Sequence, residues 1–110
     1  MAKIEIEKVA GLMIEAAKGV LGEKWPEAQN FVSSESMKFA RNMAEIEVWK
    51  LSGSITEDQA QALTRLHQRS MKMVLTALEG ISLAIAEKAI NAAIDIVRGT
   101  INKAIGWALL

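Results

Sequence analysis

The stretch ISLAIAEKAINAAIDIVRGTINKAIGWALL, residues 81–110, is apolar around more of a helix's circumference than one packing surface covers. At about 100° per residue, only Glu87, Lys88, Asn91, Asp95, Arg98 and Asn102 form a plainly polar stripe, about 100° wide. One bulky ridge carries Ile85, Ala89, Ala92, Ile96 and Trp107, and a second carries Leu83, Ile90, Ile94, Val97 and Ile101. Between them runs a line of small residues, Ser82, Ala86, Ala93, Thr100 and Ala104, which lets another helix approach closely. Such a helix needs more than one neighbour.

The rest of the chain supplies two further helices. Ile6, Val9, Met13, Ala16, Ala17 and Val20 repeat at helical spacing within residues 3–21, and Gly22 is a natural stop. Pro26 suits the first turn of a second helix, where its missing N–H is no loss. That helix is expected over 26–51, running through SSES at 33–36 even though serines favour caps. LSGSIT at 51–56 reads as a loop, and Thr56 with Glu57, Asp58 and Gln59 has the form of a capping box. The third helix therefore starts near Glu57. Its apolar stripe, Leu63, His67, Val74, Leu78, Ile81, Ile85, Ala89, Ala92 and Ile96, passes through Gly80 in phase, which favours one helix over 57–107, about 75 Å long at 1.5 Å per residue. The alternative is a helical hairpin broken at Gly80.

The fold class is thus all-α: a small bundle in which two N-terminal helices pack on a long C-terminal helix, or a hairpin broken at Gly80, completed by dimerisation. Helices of about 28 Å and 38 Å cannot line both ridges of one of about 75 Å. The uncovered surface is expected to meet a second copy, with an antiparallel seam of Ser82, Ile85, Ala86, Ala89, Ile90, Ala93, Ile96, Val97, Thr100, Ile101, Ala104 and Trp107.

Charge narrows the partners. Thirteen Lys and Arg balance thirteen Asp and Glu, with both signs spread along the chain, so no global field favours polyanions or basic proteins. Cysteine is absent, excluding disulfides, thiolate metal sites and cysteine nucleophiles, and fitting a reducing compartment. MAKIEIEKVAG has no apolar core of a secretory signal, and no uncharged run approaches the roughly 20 residues of a spanning helix; a soluble, cytoplasmic protein is expected.

Catalytic chemistry has little to work with. His67 is the single histidine, flanked at i−4 and i+4 by Leu63 and Met71, and no carboxylate three or four positions away would orient it or complete a metal pair. It reads as an edge-of-core histidine. Glu45 and Glu47 fall on opposite sides of their helix, and there is no phosphate loop or nucleophile elbow. No metal, cofactor or enzymatic activity is expected.

Arg65, Arg69 and Lys72 make a short basic ridge in TRLHQRSMKM. Pairing with acids of the second helix, or plain solvation, is its simplest reading, and contact with a partner protein its functional one. It is too narrow a footprint for a specific reader of nucleic acid. Trp25, Trp49 and Trp107 lie near helix ends, where tryptophan closes a bundle, fills an interface or anchors to lipid. Together these features describe a non-enzymatic, homo-oligomeric interaction or adaptor protein. Its rival is a protein that binds lipid surfaces or apolar ligands reversibly through the C-terminal helix, a reading weakened by the few basic residues flanking that helix's apolar face.

Overall fold

In the computed structural model, which describes residues 3–110, the chain forms four helices and no strand among those residues. Helix α1 spans Ile6–Leu21, α2 Trp25–Leu51, α3 Glu57–Thr76 and α4 Leu83–Ile105, with a 3-10 turn at Gly22–Lys24. The two N-terminal helices follow the sequence signals closely. Pro26 lies in the first turn of α2, and α2 runs unbroken through Ser33, Ser34 and Ser36. At the start of α3 the Thr56 hydroxyl accepts from the Gln59 backbone N–H at 3.1 Å, while the Gln59 side chain accepts from the Thr56 N–H at 2.9 Å, completing the capping box.

The continuous helix over 57–107 does not form. The chain turns between Thr76 and Leu83, with Gly80 at φ +81°, and the longest dimension of the molecule is 43 Å, far short of the 75 Å rod. Two local causes support the break. Gly80 adopts a left-handed conformation at no steric penalty, and the Ser82 hydroxyl accepts from the Ile85 N–H at 3.2 Å, capping α4 as a fresh helix. Leu78 and Ile81 carry the apolar stripe through the turn and tuck against the core, so the uninterrupted phase marks buried turn residues.

The hairpin closes an up-down-up-down bundle, in which α1 packs on α2 and α4, and α3 packs on the same two helices. Long-range hydrogen bonds fix the ends. The Glu47 carboxylate receives the backbone N–H groups of Lys3 at 2.9 Å and Ile4 at 3.2 Å, tying the start of the chain to the end of α2. The Gln61 side chain donates to the Ala108 carbonyl at 3.2 Å. Asn102 accepts from the N–H groups of Leu109 and Leu110 at 3.0 Å each, folding the last residues back along α4.

Small residues let the helices close up. Ala10 and Ala17 of α1 and Ala86, Ala89 and Ala93 of α4 are essentially inaccessible to solvent, and α1 is the helix against which α4 packs most extensively. Ala17 and Ala93 meet at a void of about 10 Å³ shared with Met13, Met71, Leu75 and Ile90, room for one water at most. The largest buried side chains, Phe39, Met13, Met43, Ile46 and Leu75, fill the space between the alanine seams. Thr64, wholly buried, satisfies its hydroxyl on the Ala60 carbonyl at 2.8 Å.

Candidate interaction surface

Breaking the helix redistributes the apolar surplus. Of the expected seam, Ala86, Ala89, Ile90, Ala93, Val97 and Ile101 are buried within the chain's own bundle, and Ala104 and Trp107 are half-buried. These eight are turned inward because a folded-back α3 and an antiparallel α1 both reach α4. Ser82, Ile85, Ile96 and Thr100 stay on the surface, Ile96 at 51% exposure. Along α4 the ridge of Ile85, Ala92 and Ile96 remains open, and Leu83 at the start of the helix is exposed as well. Val20 of α1 lines a shallow depression with Lys88 and Ala92, which places α1 beside this ridge. Leu12 is a further exposed large apolar residue, on α1.

A second open apolar region lies between α2 and α3. Trp49 at the end of α2, Ile55 in the loop, and Ala62, Leu63 and Leu66 on α3 line a groove of about 570 Å³, with Ser54 and Gln59 at its polar margin. The helix geometry that builds it is simple. Residues 60, 64, 71 and 75 bury one side of α3, so Ala62, Leu66 and Met73, within a strip about 40° wide at 100° per residue, must point away from the core. Leu66 is 60% and Met73 71% exposed. Trp49 borders a further depression with Ile6, Arg41, Ala44, Glu45 and Val48, extending the apolar surface across α2.

The basic ridge lies beside this strip. Arg65 and Arg69 are exposed and Lys72 is half-buried. The ion pairs among the described residues are Lys38 with Glu35 at 3.0 Å and Arg98 with Asp95 at 2.7 Å, so none of the three ridge cations is held by a carboxylate. Residues 59–78 contain no Asp or Glu at all, which explains why α3 cannot neutralise its own cations.

His67 sits on the edge of α3 that faces α2. Its Nδ1 lies 3.1 Å from the Asn42 side-chain amide nitrogen, a donor that suits a neutral ring protonated on Nε2. Burial is the main influence and holds the imidazole below the usual histidine range; Glu45 opposes it, Lys38 reinforces it and Glu35 opposes it. Asn42 was not visible from α3's own sequence, because the partner comes from 25 residues upstream on another helix.

The roles of Lys50 in the last turn of α2 and Lys18 in the last turn of α1 were not legible in the sequence either. Lys50 Nζ lies 4.9 Å from the Trp107 ring centroid and donates to the Ile105 carbonyl, so its charge serves the ring and the negative end of α4 together. Lys18 stands 5.9 Å over the Trp25 ring. Trp25 also borders an open depression with Glu15, Lys18, Glu23 and Pro26, whereas Trp49 lines the groove walled by Ile55, Leu63 and Leu66.

Among the described residues no three His, Asp or Glu side chains converge to hold a metal ion, and no helix is long and apolar enough to cross a membrane. Comparison with family models, with curated proteins and with solved structures gives no match for this chain.

Proposed function

We propose that this protein is a non-enzymatic helical adaptor that pairs with a second copy and presents a separate docking face to another protein. The observation that carries the reading is the distribution of exposed large apolar side chains. Those around Trp49 and Leu66 gather on the α2–α3 side, and Ile85 and Ile96 lie on α4 beside α1. In an up-down-up-down bundle those are opposite sides. Self-association uses the ridge that the fold leaves open, Ile85, Ala92 and Ile96 with Leu12, in place of the wider seam.

Light scattering coupled to size exclusion tests the pairing. A dimer mass at tens of micromolar, falling to a monomer in Ile96→Glu, supports it; Ile96 is exposed, so the variant retains its core. A wild-type monomer at every concentration removes self-association. The competing reading, a reversible site for an apolar small molecule, draws on the apolar groove at Trp49 and has its own readout, since a ligand seated there changes Trp49 fluorescence.

A further inference from the structure

The outer face of α3 has the makings of a rail for one kind of partner. Its apolar strip runs from Ala62 through Leu66 to Met73, about 16 Å at 1.5 Å per residue, and opens at its lower end into the groove walled by Trp49, Ile55 and Leu63. A strip that narrow and straight matches one face of a helix, whose apolar residues recur every three to four positions. Along one edge stand Arg65 and Arg69, with Lys72 behind them, no ion pair among the three and no acid between Asp58 and Glu79. The edge nearer α2 is uncharged on α3 itself, with Gln59, Leu63 and Ser70.

We propose that α3 docks an acidic amphipathic helix from another protein, a bulky side chain seated against Trp49 and Leu66 and its carboxylates against Arg65 and Arg69. This deepens the adaptor reading and rests on it. The charge pattern decides among partner chemistries. A basic helix would bring its cations against three that nothing neutralises, whereas an acidic one gains steering and register from them. A partner helix of about 14 residues, roughly 21 Å, would span the face from Gln59 to Met73.

The test uses the intact protein and two synthetic helical peptides of 20 residues that share one leucine face and carry either Glu or Lys at every flanking position. Fluorescence anisotropy at low salt is expected to show the Glu peptide binding at least about tenfold more tightly than the Lys peptide, with the preference shrinking at 0.5 M salt. Arg65→Glu with Arg69→Glu, both at exposed positions, is expected to reverse the preference, and Leu66→Lys to weaken the Glu peptide about tenfold. Equal binding of the two peptides, no binding of either, or an unchanged preference in the double variant overturns the proposal. So does a stronger attachment to phosphatidylglycerol vesicles than to the Glu peptide, which would assign the ridge to lipid. The dimer mass is read separately, so loss of the peptide preference with the dimer intact removes this partner while leaving self-association standing.

Discussion

At the scale of single residues, two buried or half-buried polar groups show how one side chain organises distant parts of the chain. Glu47 is 4% exposed and serves two backbone donors of residues that precede α1. Charged acceptors make the stronger hydrogen bonds, so Glu47→Ala is expected to lower stability by about 2–3 kcal/mol, and Glu47→Gln, which keeps one acceptor, by less. Urea denaturation of the two variants against the parent measures it. His67 gives a pH signature. Its folded pKa lies below the unfolded one because burial disfavours the charged ring. The unfolded chain therefore binds the proton first: the stabilisation is full above the ordinary histidine value near 6.5 and is lost as pH falls below it toward the folded value. The urea midpoint of the wild type is expected to drop more between pH 7.5 and 5 than that of His67→Gln, and equal drops would deny His67 this role. Neither partner was legible in the sequence. The sequence places Glu45 and Glu47 on opposite sides of their helix, but spacing does not tell which carboxylate will find donors 43 residues away.

Elements were legible wherever their signals were local. The capping box at Thr56, the proline in the first turn of α2 and the loop at 52–56 are written in a few adjacent residues, and each appears where its chemistry requires. At the α3–α4 turn two sequence signals compete: a periodic stripe across residues 63–96, which favours one long helix, and Gly80 with Ser82, which mark the hairpin that forms. Periodicity reports which residues become buried, and a turn can bury its residues too, as Ile81 shows. The decision came from packing, since a folded-back pair buries both sides of α4 whereas a rod leaves one bare. Gly80→Ala consequently meets a backbone at φ +81° and brings its methyl within 2.9 Å of Lys24 Nζ. The lysine can move aside but the backbone cannot, so a loss of about 1–2 kcal/mol is expected. Ser82→Ala, which removes the cap of α4, is expected to cost about 1 kcal/mol. Both are read from denaturation midpoints.

For the molecule as a whole, the wheel of α4 correctly showed more apolar surface than solvent would tolerate, but assigned it to another chain when α1 and α3 supply most of the cover. What remains is smaller and split between opposite sides of a bundle whose shorter dimensions are 23 and 19 Å. That separation has a consequence for how the two proposed contacts interact. Charges on the outer face of α3 and a seam on the α1–α4 side point in different directions, so screening over a Debye length of about 8 Å at physiological salt weakens their effect on the second copy. Exposed substitutions that far apart share no packing partners, and their effects add. Ile96→Glu is thus expected to abolish the dimer while leaving the affinity of one chain for an acidic helical peptide within about twofold, and Leu66→Lys to weaken the peptide while leaving the dimer mass unchanged. The combined variant should show both losses with no further change in stability beyond the sum of the two. Peptide affinity that collapses in Ile96→Glu would mean that the docking face is assembled only in the pair, placing partner recognition at the junction between copies and not on α3 alone.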